Sequence, residues 1–160
     1  MKAVSLKELK QELNHLSQKE VMDLCLRLSR FKKENKELLT YLLFESSDEA
    51  NYIESVKYEI DEKFELVNKK SPYFIRKSIR AILNYTKKYI RYSKNKETEV
   101  ELLIYFCEKM KGFQPSIHHH KRIENIFFRL TETIRKKIKF LHEDLQYDYN
   151  LELDNLLETS

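Results

Sequence analysis

Apolar residues recur at intervals of three and four along most of the chain, the spacing that puts them on one face of an α-helix. Leu6, Leu9, Leu13 and Leu16 open the pattern. Val21, Leu24, Leu28 and Phe31 follow, then Ile53, Val56, Ile60, Phe64 and Val67. A last long run holds Ile123, Phe127, Leu130, Ile134, Ile138, Leu141 and Leu145. Polar residues mark the starts. "SLKE" (Ser5, Glu8) and "SQKE" (Ser17, Glu20) are capping boxes, in which the hydroxyl accepts from an early backbone N–H and the Glu reaches back. "SSDE" at 46–49 gives another start, Ser71 before Pro72 a third kind, and Ser116 a later one; Gly112 with Pro115 closes the helix before it. These signals predict helices over 5–15, 17–31, 35–45, 48–69, 72–92, 97–111 and 116–147, with a turn in 150–158. The short connections fold neighbours into antiparallel pairs. The expected fold class is therefore all-α: about seven amphipathic helices in antiparallel helical hairpins, as a compact bundle or a short α-solenoid-like stack.

Composition narrows this further. With one Gly and two Pro there is almost nothing to build hairpins, P-loops or dinucleotide-binding turns from. A chain of 160 residues suits one domain, 1–160, with a substantial core. A weak repeat aligns 28–45 with 89–108, setting Leu38-Leu39-Thr40-Tyr41 over Leu102-Leu103-Ile104-Tyr105. It suggests a duplication of 17–69 and 72–147, followed by an acidic tail at 148–160. The opening residues are broken by charge, unlike a signal peptide, and no apolar run reaches the length of a membrane span. The expected setting is the cytoplasm, away from membranes. Cys25 and Cys107 both fall on apolar stripes and are expected as buried, reduced thiols.

Charge changes the picture at one place. Residues 69–96 hold ten Lys or Arg and no acid, whereas the flanking segments are each net negative. On a helical wheel Arg76, Arg80, Lys87 and Arg91 share one edge of the 72–92 helix, with Lys77 and Lys88 beside them. Ile75, Ile79, Ile82, Leu83 and Ile90 occupy the opposite side and are expected in the core. Like charges one turn apart repel, so an anion should compensate them. One source is internal: residues 140–160 carry six acids and no Lys or Arg, and could lie along the basic helix while contributing little to the core. The other is phosphate, met by Arg76, Lys77, Arg80, Lys87, Lys88 and Arg91 together with Lys121, Arg122 and Arg129.

Sequence motifs for chemistry are thin. His118, His119 and His120 are adjacent and point about 100° apart on a helix, so they cannot converge on one ion. His118 is expected outward, with His119 or His120 packed at the first turn. Glu12 and His15 form one E-x-x-H where a di-iron bundle needs two. No Ser lies in a glycine-flanked elbow, and neither Cys has an acid–base neighbour. No catalytic residue, cofactor or metal is assigned. The ten tyrosines, Tyr85, Tyr89 and Tyr92 among them, read either as core and rim packing or as stacking platforms for bases.

The first 65 residues carry a further pattern. Ser5, Glu8, Leu9, Glu12 and Leu13, then Leu16, Ser17, Lys19 and Glu20, then Tyr41 and Leu42, follow S-x-x-E-L-x-x-E-L, "LSKEEL"-like and K-x-x-Y-L segments. In this the chain resembles a family of small, uncharacterised bacterial all-helical proteins. The resemblance implies a helical fold and no particular activity, cofactor or partner. The functional expectation is a non-enzymatic protein-interaction or scaffold module with an unidentified protein partner. The alternative is a nucleic-acid-binding module using the basic 72–92 helix.

Overall fold

The computed structural model describes residues 2–158, the side chain of His118 excepted. It is all-helical, with no strand among the described residues. Among the described residues eight α-helices follow one another: α1 (Leu6–Asn14), α2 (Gln18–Phe31), α3 (Lys33–Thr40), α4 (Glu49–Glu65), α5 (Pro72–Ser93), α6 (Lys96–Lys111), α7 (Lys121–Ile138) and α8 (Glu143–Glu158). A π-helical turn, Tyr41–Glu45, extends α3, and a 3₁₀ turn, Ile117–His119, precedes α7. No helix among the described residues is long and apolar enough to cross a membrane.

The starts form as their side chains require. Ser5 Oγ accepts from the Glu8 N–H at 3.3 Å while the Glu8 carboxylate accepts from the Ser5 N–H at 2.8 Å, and Ser17 and Glu20 repeat the pair. Asp48 caps α4 through the Asn51 N–H at 3.1 Å, Ser71 caps α5, and Asn95 caps α6 through the Glu97 N–H at 2.9 Å. Gly112 ends α6, but at φ −73° it uses none of glycine's freedom. The left-handed cap belongs instead to Lys94, φ 57°, after α5.

Three expectations need correcting. The helix expected over 116–147 is two helices, α7 and α8, capped at His120 rather than Ser116 and broken at 139–142. The last turn of α7 tightens, with the Phe140 N–H on Lys137 O at 3.0 Å and the Leu141 N–H on Ile138 O at 2.9 Å. Gln146 Nε2 then donates to the freed Leu141 carbonyl at 2.8 Å. Second, the acidic tail is no appendage: α8 packs on α6 and α7 and buries Leu153 completely and Leu156 almost so. Third, Cys25 is exposed and only Cys107 is buried.

The chain divides into two compact units after Phe44, a cut inside the 17–69 half of the suggested duplication. In the second unit α6 is the centre, packed against α4, α5, α7 and α8. Leu102, Leu103, Ile104, Phe106 and Cys107 are all buried in near succession, so this helix is apolar around most of its circumference rather than amphipathic. Its polar edges are tied to neighbours. Glu101 meets Lys57 of α4 at 2.7 Å, Lys109 meets Asp61 of α4 at 2.8 Å, and Glu99 meets Lys137 of α7 at 3.0 Å. Burial works against the Lys57 ammonium, yet the hydrogen bonds it donates to Glu101 and Glu54, with their charges, outweigh it and raise its pKa. In the first unit α2 packs on α3, and Asn35 Nδ2 donates to Leu28 O at 2.9 Å. Tyr41 is the one buried apolar residue there among the described residues.

Candidate nucleic-acid interface

The basic helix α5 turns Ile75, Ile79, Ile82 and Ile90 into the core, all under 8% exposed. Arg80, Lys87 and Arg91 are exposed and Arg76 half so. Leu83 is half-buried where the wheel placed it in the core, because it lies in a surface groove.

That groove joins two elements far apart in sequence. A hollow of about 330 Å³ is lined by Tyr73 and Arg76 of α5 and by His119, His120, Lys121 and Arg122 at the start of α7. A second, of about 340 Å³, is lined by Arg80 and Lys87 of α5 and by Arg129 and Thr133 of α7, over an apolar floor of Leu83, Ile126 and Leu130. In both helices residue number rises from the first hollow to the second. The two therefore run the same way along the groove, as helices one apart in an up-and-down order must. At 1.5 Å per residue, Arg76 to Lys87 spans roughly 16 Å of α5.

The electrostatics are one-sided. Among the described residues no carboxylate lines either hollow. Arg76, Arg80, Lys87, Lys121, Arg122 and Arg129 form no ion pair with any described residue, nor do Lys77 and Arg91. The acids of α8 lie elsewhere. Asp154 pairs with Arg135 at 2.7 Å, and Glu152 has its pKa raised by burial and then by Glu108 and Glu101 of α6. Instead of the expected neutralisation of α5, Asp154 meets Arg135 of α7 and Glu152 meets Glu108 and Glu101 of α6.

Of the nine cations singled out from sequence, Arg76, Arg80, Lys87, Lys121, Arg122 and Arg129 come together in the groove. Lys77 and Arg91 are exposed but line neither hollow. Lys88 lies over the Tyr89 and Tyr85 rings, at 4.7 and 5.5 Å from their centroids. Those rings belong to a ladder: Tyr85 to Tyr89 at 4.6 Å, Tyr89 to Tyr92 at 5.3 Å, Tyr52 to Tyr89 at 6.5 Å. Tyr52 donates to Tyr89 O at 2.9 Å, and Tyr85 donates to Glu59. Tyrosines so engaged pack α5 on α4, with Tyr85 and Tyr89 half-buried and Tyr92 buried. Sequence reasoning passed over Tyr73, which is 58% exposed in the first hollow beside Arg76. It also left His119 and His120 unattached to the basic face. Their place next to Lys121 and Arg122 was the available signal. His119 is exposed and His120 half-buried; His118 lies outside the described side chains.

Among the described residues no group of three or more His, Cys, Asp or Glu could hold a metal ion. Compared with family models, curated proteins and solved structures, the chain matches none.

Proposed function

We propose that the chain is a nucleic-acid-binding module that holds the phosphate backbone along the α5–α7 groove. One observation carries this reading: six cations from two helices line two successive hollows without a carboxylate or an ion-pair partner among the described residues. Lys and Arg so placed exchange condensed counterions for phosphate contacts, which gives affinity without base readout. Tyr73 at one end supplies an exposed ring on which a base can stack. In this reading the second unit is a stack of antiparallel helical hairpins that works in the cytoplasm without a cofactor or a catalytic step. A second reading, a protein-interaction or scaffold module, is favoured by a different surface: the exposed leucines of the first unit.

Fluorescence anisotropy with labelled single- and double-stranded oligonucleotides over a salt series tests the groove. If all six cations engage, log K should fall with log salt at a slope of roughly −4 to −5. Arg80→Glu with Arg129→Glu should weaken binding at least tenfold at low salt and flatten that slope. Binding that is absent, or indifferent to this pair, rules the groove out.

A further inference from the structure

Thirteen of the twenty-one large apolar side chains exposed among the described residues fall between Val4 and Phe44. α1 is exposed at every position, Leu6 at 84% and Leu9 at 46%. Its leucines nonetheless make one ridge, Leu6, Leu9, Leu13 and Leu16, at helical spacing. Nine residues are too few for a stable isolated helix, so α1 needs something to pack on even with its capping box closed. Within the same unit α2 and α3 enclose an apolar hollow of about 330 Å³, lined by Cys25, Leu28, Leu38 and Leu39 among others. Ridge and hollow are chemical complements carried by one chain.

We propose that the first unit pairs with a second copy of this chain, α1 of each copy laying its leucine ridge in the α2–α3 hollow of the other. Area supports a partner of this size. At about 200 Å² for a fully exposed large apolar side chain, the ridge and hollow residues Leu6, Leu9, Leu13, Leu16, Leu28 and Leu42 present on the order of 600 Å² of apolar surface, the apolar share expected of an interface burying roughly 800 Å² per partner. Monomers rarely leave more than a few hundred Å² of contiguous apolar surface open. Charge does not oppose the pairing, since α1 balances Lys7 and Lys10 against Glu8 and Glu12. Exchange of an identical element closes a two-fold dimer with both ridges and both hollows filled. Such a dimer carries two basic grooves, which raises avidity for a long polyanion.

Light scattering on the full-length chain over a micromolar concentration series should give about twice the 19.5 kDa chain mass. Leu9→Lys with Leu13→Lys should return it to one chain mass, and Leu28→Lys with Leu38→Lys should do the same. Mixing the two double variants should restore a weaker dimer, because one intact ridge then meets one intact hollow; a chain that had merely misfolded would not be rescued. One chain mass at every concentration overturns the proposal, as does a dimer that survives both double substitutions or a pair of variants that mixing fails to rescue. None of these changes touches Arg80 or Arg129, so this outcome and that of the groove experiment are read separately.

Discussion

Lys87 and Lys88 are neighbours in sequence with different surroundings. Lys87 reaches the groove, whereas Lys88 sits on two tyrosine rings. The helical wheel separates them by only 100°, so their divergence reflects the tertiary neighbours each meets, α7 for one and the tyrosine ladder for the other. Lys87→Ala should therefore reduce the salt slope of polyanion binding by about 1, while Lys88→Ala should leave it within error. The thiols differ in the same way. Cys107 is fully buried, and burial, helped by Glu108, pushes its pKa far up, whereas Cys25 is exposed. At concentrations where the protein is a single chain, an aromatic disulfide reagent should titrate one thiol promptly and the second only on unfolding; two fast thiols would mean that α6 is not the closed centre described. Glu152 gives a pH signature. Its folded pKa is raised, first by burial and then by Glu108 and Glu101, so its charged form costs stability once pH exceeds the unfolded value. Glu152→Gln should raise the melting temperature at neutral pH, and the gain should fade as pH falls through the ordinary carboxylate range, where both states are protonated.

Most elements were legible because their starts are local chemistry. A capping box or a Ser-Pro pair specifies its own hydrogen bonds within four residues, and the structure forms them at Ser5, Ser17 and Ser71. The α7–α8 break was missed because no Gly or Pro marks it and the apolar period runs on through Leu141 and Leu145. Charge did mark it: Arg135, Lys136 and Lys137 close α7 and Glu143 and Asp144 open α8, the order that the helix dipole favours. α6 was counted among the amphipathic helices; Glu99, Glu101 and Lys109 turn out to be ion-pair partners at the edges of an otherwise largely buried helix. All six groove cations were named from the sequence, Lys121, Arg122 and Arg129 together with the cationic edge of α5. The groove itself, with Tyr73, His119 and His120 along it, depends on how α6 spaces α5 from α7, which no local pattern encodes. For α8 the consequence is energetic. Leu153 is fully buried, and Leu153→Ala should cost about 2–5 kcal/mol in urea unfolding. Deleting 148–160 should destabilise the second unit by more than that, rather than merely baring a basic stripe. A truncated chain with an unchanged urea midpoint would show that α8 is dispensable after all.

At the scale of the molecule, the two units differ in what holds them together. Among the described residues, the second unit contains every buried apolar side chain except Tyr41, along with the ion pairs around α6. It also contains all six groove cations. The first unit contributes exposed leucines and three helices, of which α2 and α3 pack together. If folding and polyanion binding both belong to the second unit, removing residues 1–44 should preserve both. A fragment of 45–160 should then unfold cooperatively, with an enthalpy near its midpoint of roughly 80 kcal/mol, as expected for a domain of this length at about 0.7 kcal/mol per residue. Its oligonucleotide salt slope should match that of the full chain to within about one phosphate when compared at concentrations where both are single-chain. Absolute affinity for a long polyanion should fall if the first unit couples two grooves, while affinity for a short oligonucleotide should not. Calorimetry and anisotropy on the two lengths of chain decide the matter. A fragment that folds but loses its salt slope would move the binding surface to the first unit, and one that fails to fold would show that the core extends beyond the second.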